Sequence, residues 1–187
     1  MNPSPYARRS RAASAAAALV TVAALAACGQ QTAERGDAAP TTRFTENGVT
    51  VTLSVSDWHT RNGTLTAVFT PEVGFHLYST DLPATGIEGV GRPTAIGVTG
   101  ALRAEGKPAA AAEVRTISLP GVDAPVPVYP DGPVTVTLPV STAGSGDATV
   151  LLGYASCSAR EGCTIPVADR PVHLRVTDDG PVFAGAR

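Results

Sequence analysis

The sequence predicts an all-β domain built as an antiparallel β-sandwich, and three observations carry that expectation. Apolar and polar residues alternate with a period of two in several short runs. Clusters of Gly, Pro, Asn and Asp separate those runs. Beyond the N-terminal leader no stretch sustains a helical period with caps at both ends, and the Ala-rich piece 108–112 is too short to stand alone as a helix. Many short strands at this spacing point to a sandwich of immunoglobulin-like type.

The clearest run comes first. In Val49-Thr-Val-Thr-Leu-Ser-Val-Ser56, the residues Val49, Val51, Leu53 and Val55 take one face while Thr50, Thr52, Ser54 and Ser56 take the other. A strand with that pattern is half-buried. Comparable runs follow at 65–70, 75–78, 95–99, 113–119, 134–140, 148–154 and 172–177. The turns between them are expected at Arg61-Asn-Gly63, Pro71-Glu-Val-Gly74, Pro130-Asp-Gly-Pro133 and Ala143-Gly-Ser-Gly-Asp147. Pro139 has no N–H to give to a ladder, which places its strand at an edge or a bulge. No internal repeat and no second domain is evident, so one folded domain is expected at 43–178 with a short tail at 179–187.

Ahead of the domain lies a segment of a different kind. Arg8, Arg9 and Arg11 precede an apolar run from Ala12 to Ala27 that carries no acidic residue, the two parts of an export signal. The run ends Leu25-Ala26-Ala27-Cys28-Gly29, and small residues before a cysteine resemble a bacterial lipobox. On that resemblance 1–27 is a signal peptide, Cys28 is lipidated as the mature N-terminus, and the protein sits on the extracytoplasmic face of a bacterial cell membrane. The alternative is an ordinary secretory signal with a coincidental cysteine. Residues 28–42, rich in Gln, Ala, Thr and Pro, have little to bury and read as a flexible tether. Loss of the leader removes three of the fourteen Lys and Arg and none of the sixteen Asp and Glu, leaving eleven against sixteen. Nucleic acid is therefore disfavoured as a partner, because phosphate binding needs clustered positive charge.

The two remaining cysteines, Cys157 and Cys163, lie six apart in Cys-Ser-Ala-Arg-Glu-Gly-Cys, flanking a Gly-containing excursion at the end of a strand. Export places them where disulfides persist. As a staple the pair is poor: closing a ring of about seven residues stabilises by roughly 2.4 kcal/mol, against roughly 4.4 kcal/mol for about 70. Spacing alone leaves a redox-active pair and a local loop staple both open. Metal binding is disfavoured, since His59, His76 and His173 are scattered along the chain and the single Met is the initiator. No cofactor is implied. Arg160, between the cysteines, would favour a thiolate, whereas Glu161 and Asp123 would oppose it or shuttle a proton. The plainer reading of Arg160 and Glu161 is a solvated turn.

Three segments in order then carry a family resemblance. Tyr154-Ala-Ser-Cys157, five residues, and Cys163-Thr-Ile-Pro166 resemble the active-site segment of the N-terminal periplasmic domain of the thiol:disulfide interchange protein DsbD. Gly74-Phe-His-Leu-Tyr78 resembles that family's Gly-aromatic-x-Leu-Tyr segment, and Val128-Tyr-Pro-Asp131 with the strand after it resembles its Ile-Tyr-x-Asp turn. The likeness spans roughly 44–177. It implies an immunoglobulin-like sandwich whose pair Cys157 and Cys163 relays electrons from an integral membrane thiol reductase to thioredoxin-like extracytoplasmic proteins. It also implies that Cys157 forms the mixed disulfide and Cys163 resolves it, with Tyr78, Tyr154 and Pro166 walling the site.

The family shields its disulfide with an aromatic-bearing loop, but the matching region here, 119–127, offers Val122 and Asp123 and no aromatic, so a weaker cap is implied. The family's full-length proteins carry the membrane reductase on the same chain; here a donor in trans is expected. Disulfide repair and cytochrome c maturation both fit as destinations for the electrons. The competing class is a lipid-anchored binding module with a merely structural loop disulfide, for which Trp58 and His59 are the surface candidates.

Overall fold

The computed structural model describes residues 40–184. The expected signal peptide, Cys28 and nearly all of the expected tether lie outside the described residues. In chain order the strands open with β1 (Thr41–Glu46), β2 (Val49–His59), β3 (Asn62–Pro71), β4 (His76–Leu77) and β5 (Ala95–Gly100). Then come β6 (Leu102–Ala104), β7 (Ala109–Ala110), β8 (Arg115–Ile117), β9 (Val126–Val128) and β10 (Val134–Thr142). The chain closes with β11 (Gly146–Tyr154), β12 (Ser156–Ser158), β13 (Gly162–Cys163), β14 (Val167–Thr177) and β15 (Gly180–Phe183).

One sheet runs β1-β2-β3-β10-β6, with β7 also on β10, and the other runs β15-β14-β11-β5. Their pairings are antiparallel throughout. The alternation read from sequence explains how they meet. Val51, Leu53 and Val55 of β2 and Leu65, Ala67 and Phe69 of β3 join Val150 and Leu152 of β11 and Leu174 and Val176 of β14 in one buried cluster. Phe69 of the first sheet meets Tyr154 of the second edge to face, ring centroids 5.6 Å apart. The domain is thus an immunoglobulin-like antiparallel sandwich, as the sequence predicts. Two smaller sheets, β13-β12-β4 and β8-β9, complete it.

Three expectations shift in the structure. Asn47 and Gly48, at φ 49° and 73°, make the two-residue turn of the β1-β2 hairpin, so pairing begins at Thr41, inside the expected tether. At the other end β15 pairs with β14 over Gly180–Phe183, within the expected tail. The turn expected at Arg61-Asn-Gly63 falls instead on Thr60 and Arg61, both at positive φ, with His59 opposite Asn62. Gly63 serves another purpose: a Cβ there would lie 2.6 Å from Cε3 of Trp58.

Pro139 is not on an edge strand, because β10 pairs with β3 on one side and with β6 and β7 on the other. Its carbonyl accepts from the Glu105 N–H on the β6 side. A residue's N–H and C=O point the same way in an antiparallel ladder, so the missing N–H faces the gap between β6, whose last residue Ala104 lies opposite Val140, and β7, whose first residue Ala109 lies opposite Thr137. The ladder is interrupted where proline cannot contribute.

Leu53 is fully buried in the inter-sheet cluster, to which neither cysteine belongs. Leu53→Ala is expected to lower the unfolding free energy by about 2–5 kcal/mol in a denaturant titration. Reduction of the Cys157–Cys163 bridge is expected to lower it by no more than about 2.4 kcal/mol. Unfolding on reduction alone would make the bridge a staple.

Candidate functional site

The cysteines sit on the small sheet whose middle strand is β12. Cys157 pairs with Cys163 of β13 on one side and with His76 of β4 on the other. Residues directly opposite in a ladder share a face, with Cβ atoms about 4.5–5.5 Å apart. Cys163, Cys157 and His76 therefore form a row across three strands. The two sulfurs are bonded, 2.01 Å apart. Gly162 takes φ 84° in the tight turn that brings β13 back beside β12.

Burial divides the pair. Cys157 is only 5% exposed, whereas Cys163 is an exposed residue. Cys157 belongs to a second apolar cluster with Tyr78, Leu82, Val126, Val128 and Ala155. The Tyr78 hydroxyl lies 3.0 Å from Cys157 Sγ and 3.7 Å from Cys163 Sγ. A disulfide sulfur has no hydrogen, so the hydroxyl donates. Burial raises the Tyr78 pKa above its ordinary value, which keeps that donor protonated.

Tyr78 is held from several directions. Thr94 donates from both its N–H and its Oγ1 to the Tyr78 carbonyl, at 3.3 and 2.7 Å. Gly91, at φ 88°, closes on the ring: a Cβ there would lie 2.7 Å from Tyr78 Cε1.

The structure sorts the other expected site residues. Val122, in the expected cap loop, packs against the cluster that holds Tyr78 and Cys157. Asp123 is exposed and its N–H donates to Glu88 Oε1 at 3.0 Å. Tyr154 is a correction. It is fully buried in the inter-sheet core, its hydroxyl donating to the Glu46 carbonyl at 3.4 Å, because Leu152 and Tyr154 continue the inward face of β11. Burial first and the nearby Glu46 second push its pKa up to about 12. Pro166 is exposed on the exit into β14, and Arg160 and Glu161 are exposed in the turn between the cysteines.

Trp58 also departs from expectation. It is half-buried within β2 and packs against the inter-sheet cluster, with Gly63 and Gly180 giving its ring room. Its ring is thus used in packing while its remaining surface lines two grooves, and His59 beside it is exposed.

His76 was absent from the expected site. Its sequence distance from the cysteines hides that β4 lies beside β12, yet its position two before Tyr78 in an alternating run already put both on one face. The rings of His76 and Tyr78 meet edge to face at 6.3 Å. His76 Nδ1 lies 3.8 Å from Asp131 Oδ1, and its Nε2 is buried without a hydrogen-bond partner. Burial lowers the His76 pKa and the Asp131 charge partly offsets this.

Beside this row an open groove of about 460 Å³ is lined by Val73, Gly74, His76, Asp131, Ser158 and Arg160, among others. A larger groove, about 570 Å³, lies along β14 and β15 and contains no sulfur. The apolar side chains Val73 and Ile165 are exposed, at 100% and 75%.

No family model and no curated protein matches the chain. Among solved structures it is similar to the N-terminal domain of DsbD from Neisseria meningitidis in the reduced form. The identity is 17% and the TM-score 0.45, covering 72% of this chain and 88% of that one.

Tyr78→Phe removes the only side-chain hydroxyl within 4 Å of Cys157 Sγ among the described hydrogen bonds. Hydrogen bonds to charged groups are worth about 1.5–3 kcal/mol, so reduction of the bridge by dithiothreitol is expected to slow roughly tenfold or more as the leaving thiolate loses its donor. Stopped-flow reduction of the two proteins checks this; equal rates would remove Tyr78 from the chemistry.

Proposed function

We propose that the domain is a thiol:disulfide exchange module that passes electrons through Cys157 and Cys163. The observation that carries this reading is the division of the bridged pair, one sulfur on an exposed turn and the other buried beneath a tyrosine hydroxyl. Attack requires access, and the leaving sulfur gains from a hydrogen bond as it becomes a thiolate.

In the reducing direction a partner thiolate attacks Cys163 Sγ. A bond forms between Cys163 and the partner as the bond to Cys157 breaks, and Cys157 departs as a thiolate facing the Tyr78 hydroxyl. A second partner thiolate then attacks the partner's own sulfur, its disulfide closes, and Cys163 leaves. Two electrons and two protons have moved to this domain. The reverse sequence delivers them to an oxidised acceptor. This order is the opposite of the one the family resemblance implies, and burial is the reason: Cys157 is covered by the cluster around Tyr78, so Cys163 is the sulfur a partner meets.

The partners that fit are a membrane thiol reductase as donor and thioredoxin-like extracytoplasmic proteins as acceptors, with a lipid on Cys28 holding the domain at the membrane. Support for these comes from the family resemblance and from the lipobox-like leader, read from the sequence.

With a thioredoxin-like partner, Cys157→Ser is expected to accumulate a mixed disulfide through Cys163, at least tenfold more than Cys163→Ser accumulates through Cys157. Non-reducing electrophoresis with peptide mapping measures both. Equal or inverted trapping would contradict the order, and no trapping by either variant would contradict the exchange reading. For the anchor, Cys28→Ser is expected to move the protein from the membrane fraction to the soluble fraction; unchanged fractionation would dismiss the lipid.

A further inference from the structure

Resting on the exchange reading, one step needs a group that the pair and Tyr78 do not supply. When Cys163 carries a mixed disulfide, Cys157 must attack Cys163 Sγ to release the partner. A buried thiol holds its proton more tightly than an exposed one, and Tyr78, already protonated, cannot take that proton as a base. The resolving thiol therefore lacks a base.

We propose that His76 is that base: its Nε2 takes the proton of the Cys157 thiol as the Cys157 sulfur attacks Cys163. His76 stands directly opposite Cys157 in the β4-β12 ladder and on the same face. Buried polar atoms are nearly always paired, but Nε2 is buried and has no partner in the oxidised state. The other ring nitrogen, Nδ1, faces the Asp131 carboxylate at 3.8 Å. That charge favours the hydrogen on Nδ1 and leaves the lone pair on Nε2. The order thiol, imidazole, carboxylate is the arrangement by which a nucleophile is activated by a base that a third group orients.

The step balances. Cys157 loses a proton to Nε2, the Cys157–Cys163 bond forms, the Cys163–partner bond breaks, and the partner leaves as a thiolate that takes up the proton through solvent. The charged and titratable groups around the imidazole are few. Asp131 faces it from the turn before β10, and Tyr78 from its own segment. Arg160 and Glu161 lie across the groove on one side, and Arg115 and Tyr129 across the groove on the other. Burial outweighs Asp131 and holds the imidazole below its ordinary pKa, so at neutral pH it is the neutral form able to accept a proton.

The test uses the full chain carrying Cys28→Ser, reduced and then mixed with an aromatic disulfide that releases the coloured thionitrobenzoate anion. The first equivalent appears in a concentration-dependent phase as Cys163 attacks. The second appears in a concentration-independent phase as Cys157 resolves, and this phase is followed from pH 5 to 8. In the parent protein its rate is expected to rise with pH to an inflexion below about 6.5 and then level. In His76→Phe the inflexion is expected to vanish, the rate to rise about tenfold per pH unit, and the rate at pH 7 to be at least tenfold lower.

Asp131 is largely exposed, its side chain at 64%, so Asp131→Asn gives a second variant that leaves the core alone. Because Asp131 raises the His76 pKa, its loss is expected to move the inflexion to lower pH. His76→Phe keeping the inflexion and the rate within twofold overturns the assignment, as does an unshifted inflexion in Asp131→Asn. Release of only one equivalent by the parent protein overturns the exchange reading itself.

Discussion

Pairing of the two-residue strand β4 with β12 is the constraint on which the site depends. It is short, two registered pairs in all, yet it brings the segment around 76–78 to a disulfide about 80 residues away in the chain. Cys157 faces His76 because of it, and the next position on that face places the Tyr78 hydroxyl 3.0 Å from the sulfur. Without this pairing the cysteines would be a turn closed on itself.

Stability and chemistry are separated within the fold. The inter-sheet cluster is built mainly from alternating apolar positions on long strands and includes no sulfur. The second cluster is smaller and is made from short strands and loops, with Tyr78, Val126, Val128 and Cys157 at its centre. Opening of the bond, as the proposed function requires, would therefore leave the main core untouched. Leu77 and Tyr78 mark the division at consecutive residues, one facing each cluster.

The parts of the fold that could be read from sequence are those whose physics is local. Strands such as β2, β10 and β11 are long enough for a period of two to show, and their inward faces are the ones that alternation assigned. Strands β6, β7 and β12 have two or three residues each, too few for a period to register, and each has a partner distant in the chain. The β1-β2 turn was not among those expected, although Asn-Gly is a strong short turn signal, and the polar Thr41 and Thr42 that open β1 read as the end of the tether. Trp58 and Tyr154 show the opposite limit: large amphipathic side chains at strand ends read equally well as site or as core, and only the packing around them decides. At the site itself the two cysteines and Tyr78 stood out in the sequence. The burial that distinguishes one sulfur from the other is a property of tertiary contact and left no local trace; for His76 the sequence shows a face shared with Tyr78, but not that β4 lies beside β12.

The proposed function requires the Cys157–Cys163 bond to be exchangeable under biological conditions. Equilibrating the full chain with buffers of defined thiol-disulfide potential and quantifying the bridged and reduced forms by mass spectrometry of the fragment containing both cysteines tests it most directly. A midpoint less negative than about −300 mV, in the range of catalytic pairs, is expected. A bond that stays closed at potentials well below about −300 mV would contradict it and leave the disulfide a fixed part of the loop.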